Sequence, residues 1–305
     1  MEDSPFGCWG DYSDEYFGGG YYADVLKVAY PYMKAADPEI QVLIGGLLLD
    51  CDPGPDRNIC SEIGNNDRPP KYLEGILLNG GGDYFDGVSF HAYDYFPYYA
   101  PALGDYSNAN WGAAWNTTGP VAPLKAAFLR DVLAQYNVTG KYLLNTESGL
   151  ICGPNGVPPG MEGCESTDDS LFEQTKGRYL VQTYTTSIAD GLVGNIWFSL
   201  FGWRNSGLLY ADSTPRPAYS AFEFARKELQ DATFQRKITS YPNVMGYEFL
   251  RHTRYMWVMW SLDGVTQTIS LPGTPIAIYD FMGNPITPSS VIDITLDPIY
   301  LEWYP

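Results

Sequence analysis

Two hydrophobic periods alternate along the chain between about residue 20 and residue 230. Leu26, Ala29, Tyr30 and Met33 recur at helical spacing and predict a helix from about Tyr22 to Ala36. The stretch "DPEIQVLIGG" reads as a turn feeding a short, continuously apolar strand. A helix near Pro70–Asn79 precedes the strand "YFDGVSFHAY", and the helix "VAPLKAAFLRDVLAQY" leads to the strand "KYLLNTES". A longer helix over about Ser170–Asp190, the strand "GNIWFSLF" and a closing helix "RPAYSAFEFARKEL" complete the series.

Short apolar strands alternating with helices make parallel βαβ units with the helices outside, the α/β class. The segments that follow strands are long and irregular, about 47–69, 93–120 and 148–169, while those leading from helix to strand are short. That asymmetry places function at the carboxyl ends of the strands, as in (β/α) barrels and other open α/β sheets. After about Asp231 the period becomes two, broken by "DG", "PG" and "GN" turns. Residues 231–305 therefore predict a small antiparallel β domain, a sandwich, following an α/β part over 1–230.

The strand ends carry polar groups. Alternation puts Leu143, Asn145 and Glu147 on one face of "KYLLNTES" and groups Ser89, His91 and Tyr93 in "GVSFHAY". A strand buried over most of its length that ends in Asn-x-Glu or His-x-Tyr sends those groups into a mouth, not a core. Two neighbouring parallel strands of this kind would converge His91, Tyr93 and Glu147 on one site, with Trp197, Trp203 and Arg204 following from the next strand and loop. Carboxylate, imidazole, phenol and indole together suit a pyranose: aromatic faces stack on its C–H surface and the polar groups hold its hydroxyls.

Composition narrows the partners. Aromatic residues reach 15%, with 25 Tyr and 8 Trp, in keeping with carbohydrate as the ligand. A formal charge of −18 argues against nucleic acid and anionic membrane, both of which require basic patches. No stretch approaches the ~18 apolar residues of a membrane span. The first residues, "MEDSPFGCWG", lack the basic end and apolar run of a signal peptide.

The cysteines point to an oxidising compartment. Cys51 with Cys60, and Cys152 with Cys164, close short Gly/Pro-rich loops as disulfides would, and Cys8 is left over. Metal binding would want CxxC spacing or histidine partners, and His91 and His252 are the two histidines of the chain, so neither metal nor cofactor is expected. Asn116 ("NTT") and Asn137 ("NVT") stand in glycosylation sequons. Together these features predict an extracellular or cell-surface protein whose export signal is not in this chain.

The order of segments adds a resemblance. "YYADVLKVAYPYMKAADPEIQVLIGGLLLD", "FDGVSFHAYDYF", "KYLLNTESGL", "NIWFSLFGWRNSGLL" and "STPRPAYSAFEFA" follow one another as in the second half of clan A retaining glycoside hydrolases. The chain is most similar to bacterial family 39-type proteins, and its β domain resembles theirs. The resemblance implies the fourth helix and strands five to eight of a (β/α)8 barrel, the strands at about 40–46, 85–92, 141–147 and 194–201. It implies Glu147 as the nucleophile, and His91 and Tyr93 as lining the subsite of the reacting sugar. It gives Trp197 as the eighth-strand aromatic, with Trp203 as a competing choice.

Retaining hydrolysis needs a second carboxyl group, an acid about 5–5.5 Å from the nucleophile. In this clan it is the Glu of an Asn-Glu ending the fourth strand, and the chain contains no such dipeptide. Glu2 is the nearest candidate, ahead of Glu15, and lacks the preceding Asn. Four strands cannot close a barrel of this class, which takes ~250 residues, and an open edge exposes apolar surface and unpaired backbone groups. Three readings follow: a piece of a longer hydrolase, a half barrel completed by a second chain, or a noncatalytic glycan-binding or assembly protein whose edge is covered by self-association.

Overall fold

The computed structural model describes residues 9–49, 52–53, 69–96, 111–113, 115–152 and 170–304, with 106–107 as backbone. In chain order the elements begin with helix α1 (Gly19–Ala36) and strand β1 (Leu43–Leu47). A single 3-10 turn, Pro69–Lys71, runs into α2 (Tyr72–Leu78), followed by β2 (Gly87–Phe96) and two short strands, β3 (Tyr106–Ser107) and β4 (Gly112–Ala113). Then come α3 (Ala122–Gln135), β5 (Tyr142–Cys152), α4 (Ser170–Ala189), β6 (Gly194–Trp197) and α5 (Pro217–Leu229).

The long strands β1, β2, β5 and β6 lie side by side in that order, every neighbouring pair parallel. One face of this sheet is packed by helices. Ile44, Leu47, Val88, Phe90, Ala92 and Leu143 share a core with Leu26, Tyr72, Ile76, Ala126 and Leu129. Asp86 fixes the lower end: its carboxylate accepts from Tyr30 Oη (2.9 Å) and the Val42 amide (2.7 Å) and pairs with Lys34 Nζ at 2.9 Å. Helix α1 is thereby tied to the starts of both β1 and β2.

Among the described residues β1 pairs only with β2, and β6 only with β5, so the sheet is an open arc. The architecture is a partial α/β barrel. Two strands run further than periodicity predicts, β2 to Phe96 and β5 to Cys152, because they pair with each other along ten positions and β4 adds to β2 at Tyr95. In contrast, β6 stops at Trp197, short of the predicted 201. Its apolar continuation leaves the ladder, and Leu200 O instead accepts the amides of Leu208 and Leu209 within the following loop.

Antiparallel structure begins at β7 (Ala232–Lys237) and continues through β8 (Val244–Arg251), β9 (Arg254–Ser261), β10 (Gln267–Ser270) and β11 (Ala277–Asp280). It ends with β12 (Pro285–Ile286), β13 (Val291–Ile294) and β14 (Ile299–Trp303). Six of these strands form one sheet in the order β12-β11-β14-β9-β8-β7, and β10 pairs with β13. Ile269 and Ile294 from the small sheet pack on Met259, Ile278 and Leu301 of the large one, giving the sandwich that period-two alternation implies. The other face of the large sheet meets the helices, with Phe249, Val258 and Tyr300 packed among Leu180, Ala221 and Phe224. No helix of the described residues is long and apolar enough to cross a membrane.

Candidate active site

All three parallel pairings slip out of register at one level of the sheet. On β1 the break falls between Ile44 and Leu47, and on β5 Thr146 is the extra residue between the pairs Phe90–Asn145 and His91–Glu147. The β5–β6 pairing breaks between Asn145 and Ser148. Paired residues in a parallel sheet share a face, and one extra residue swaps the face of everything after it. Glu147 therefore stands with His91 on the face away from the helices, and Asn145 stands with Phe90 on the helix side. Strict alternation puts Asn145 and Glu147 together; the bulge at Thr146 separates them.

On the open face the geometry is tight. Tyr93 Oη donates to Glu147 Oε2 at 2.6 Å, and His91 Nδ1 lies 3.3 Å from the same oxygen. The Glu147 side chain is 29% exposed, against 7% for His91. Among the described residues Oε1 accepts no hydrogen bond and no second carboxyl group bonds to Glu147. Burial, reinforced by positive charge that includes Lys125, pushes the His91 imidazole down to about 3. At neutral pH the neighbour of Glu147 is thus an uncharged ring, not an ion-pair partner. Burial and the bond to Glu147 raise the Tyr93 phenol far above its ordinary value, so it keeps its proton as a donor.

Gly46 makes room for the imidazole. A Cβ on Gly46 would sit 2.2 Å from His91 Nε2, a separation that atoms do not tolerate.

Asn145 is fully buried; its amide nitrogen donates to the carbonyls of Glu147 (2.7 Å) and Phe90 (3.0 Å), and its oxygen lies 2.6 Å from the Asn195 side-chain amide, which in turn lies 2.9 Å from Ser148 Oγ. It belongs to the layer beneath the site. Trp197 is also on the helix side, 9% exposed, with its indole N–H donating to Ser206 O at 3.0 Å and its ring edge-on to Tyr179. Phe198, the next residue, takes the open face: it is 37% exposed and its ring meets Tyr93 edge-on with centroids 6.3 Å apart. The signal for Phe198 is its place beside Trp197 in "NIWFSLF", where alternation along β6 turns neighbouring aromatics to opposite faces.

Trp203 is 55% exposed, and the Arg204 guanidinium lies 5.1 Å from its ring centroid. Both belong to the β6–α5 loop, which is anchored from inside. Lys176 Nζ on α4 donates to Glu173 Oε1 (2.6 Å), Asn205 O (3.0 Å) and Gly207 O (2.7 Å). Glu173 also accepts from Arg216 Nη1 at 3.0 Å and from the Ala218 amide at 3.2 Å. Their only sequence signal is a charged pair three apart inside an otherwise buried helix face.

Glu2, Cys8, Cys51, Cys60 and Cys164 lie outside the described residues. Cys152 is disulfide-bonded. Asn116 and Asn137 are both exposed. Among the described residues no group of three or more His, Cys, Asp or Glu side chains could hold a metal ion.

No protein-family model matches the chain, and no curated protein sequence does. Solved structures do share its fold. A family 39 glycoside hydrolase from Bacteroides cellulosilyticus WH2 superposes with a TM-score of 0.61 at 21% identity, covering 92% of this chain and 54% of its own. A β-porphyranase of glycoside hydrolase family 86 from Bacteroides plebeius gives 0.58 at 12% identity, with 93% and 52% covered. A GH51 arabinofuranosidase from Xanthomonas axonopodis pv. citri gives 0.54 at 16% identity, with 93% and 62% covered. The chain thus spans about half to three fifths of the length of these structures.

Proposed function

We propose that this chain carries the nucleophile side of a retaining glycoside hydrolase, with Glu147 attacking the anomeric carbon. The observation that carries the reading is the Tyr93–Glu147 hydrogen bond of 2.6 Å between the adjacent parallel strands β2 and β5. It orients Oε2 and leaves Oε1 of the carboxylate free to attack. The neutral, buried His91 adds packing without a competing charge. Phe198, edge-on to Tyr93, offers an exposed aromatic face for the C–H surface of a sugar, and Trp203 on the following loop is a second exposed ring. The fold shared with glycoside hydrolases supports the same chemistry. The acid/base carboxyl group comes from outside the described residues, Glu2 being the candidate within the sequence.

A leaving group that departs without a proton tests the nucleophile by itself. A 2-deoxy-2-fluoroglycoside bearing 2,4-dinitrophenolate needs no acid: Glu147 forms a C1–O ester as the C1–O bond to dinitrophenolate breaks. Incubation with gluco-, galacto-, xylo- and arabinofuranosyl reagents is expected to add one sugar mass to the peptide containing Glu147. Folded protein that stays unlabelled by all four, or Glu147→Gln protein that labels as fast as the parent, overturns the assignment.

The exposed Phe198, Phe201 and Trp203 favour one second reading, a noncatalytic glycan-binding or assembly protein. Oligosaccharide binding by calorimetry, combined with no labelling of Glu147, would select it. The disulfide at Cys152 and the two exposed sequons support export in either case.

A further inference from the structure

Each register break described above takes main-chain carbonyls out of the ladder, and a buried carbonyl without a donor is costly. Side chains supply the donors here. Thr146 Oγ1 donates to Phe90 O at 3.3 Å. Lys125 Nζ donates to His91 O at 3.0 Å and to Leu48 O, just past the end of β1, at 2.7 Å. One ammonium therefore bridges β1 and β2 at the point where His91 turns toward Glu147.

Lys125 stands in α3 and is 2% exposed. A lysine there loses its hydration, and an apolar residue would fill the layer more cheaply unless the charge does something. Its neighbours in the helix are Ala122, Ala126 and Leu129, all buried. Among the described residues the groups facing His91 include the Glu147 carboxylate from β5 at 3.3 Å, Gly46 from β1, which does not titrate, and the Lys125 ammonium from α3 at the His91 carbonyl. Tyr93, on the same strand, directs its proton to Glu147. Left to the carboxylate alone, the imidazole would be drawn to accept a proton and close an ion pair on the candidate nucleophile.

We infer that Lys125 is a positioning residue of this site: it ties the ends of β1 and β2 at the break that presents His91, and its buried positive charge keeps a second one off the imidazole. The consequence for Glu147 rests on the reading of that residue as nucleophile, but the relation between Lys125 and His91 does not. Burial already acts against imidazolium, and the lysine adds to it.

Nuclear magnetic resonance of the two imidazoles in the full chain tests this directly, with the exposed His252 as internal reference. In the parent protein the His91 resonances are expected to stay still from pH 8 to pH 5. Lys125→Met removes charge and donors together, Lys125→Gln removes the charge but keeps a donor, and Lys125→Arg keeps both. The two neutral variants are expected to raise the His91 midpoint, and Lys125→Arg to restore the parent behaviour. If Lys125→Met does not fold, Lys125→Gln carries the comparison. An unmoved His91 midpoint in a folded neutral variant, or the same rise in Lys125→Arg, overturns the inference. Neither result depends on labelling of Glu147, so the two proposals fail separately.

Discussion

Tyr93 and Glu147 sit on neighbouring parallel strands and meet at a single oxygen, with the phenol 2.6 Å from Oε2. Because His91 approaches that same oxygen at 3.3 Å, the carboxylate is held on one side and left open on the other. A nucleophile needs this asymmetry: one oxygen oriented and one free.

Tyr93→Phe removes the donor and leaves the ring in place. A hydrogen bond to a charged group is worth roughly 1.5–3 kcal/mol, so the rate of dinitrophenolate release from the fluoroglycoside reagent should fall by about 10- to 100-fold. Stopped-flow absorbance measures it. A rate within twofold of the parent would show that the phenol does not act on Glu147.

His91 should make the protein less stable in acid. Its folded value lies near 3, below the ordinary 6.5, so between those values the unfolded chain binds the proton and the folded chain does not. Stability from this group is present above pH 6.5 and is lost as pH falls toward 3. Urea unfolding at pH 7 and pH 4.5 should differ by roughly 2 kcal/mol more in the parent than in His91→Gln. Equal differences in the two proteins would contradict this.

Asp94 should act with the opposite sign. It is fully buried, accepts from the Val121 amide at 3.0 Å, and burial raises its carboxyl group to about 7 from 3.8. The folded chain holds this proton longer, so its contribution declines as pH rises from about 4 through 7. Asp94→Asn keeps an acceptor for Val121 and removes the titration. Its stability relative to the parent should grow across that range, by on the order of 1–3 kcal/mol, and level off above it. Thermal unfolding at pH 5, 6.5 and 8 would reveal a flat difference if the idea is wrong.

Gly46→Ala should displace His91, since the new methyl group would lie 2.2 Å from Nε2. Overpacking of this kind costs about 1–3 kcal/mol. A lowered melting temperature together with shifted His91 resonances is expected; an unchanged imidazole spectrum would place the ring elsewhere.

Export predicts glycan at two positions and a bond at a third. Secretion from a eukaryotic host should add enzyme-removable mass to peptides containing Asn116 and Asn137, both exposed. A non-reducing digest should link the Cys152 peptide to the Cys164 peptide. Linkage of Cys152 to any other cysteine would revise the pairing.

The alternation of apolar strands and amphipathic helices, and the change to period two after residue 231, were determined by the sequence alone. The physical reason is that periodicity records which face of an element is buried, and burial is the largest local signal. The same logic picked out Glu147, His91 and Tyr93 but expected them at strand ends, whereas β2 and β5 pair on past them to Phe96 and Cys152. Tertiary structure decided the rest. Thr146 is an extra residue of β5 against both β2 and β6, and this sends Asn145 to the helices while keeping Glu147 with His91. On β6 alternation is unbroken, and pairing with β5 puts Asn195 and Trp197 on the helix side, so that Trp197 is buried and Phe198 is presented. Nor could local pattern assign Lys125, whose partners include carbonyls 77 and 34 residues away. Register between strands depends on contacts distant in sequence, so no window of neighbouring residues contains it.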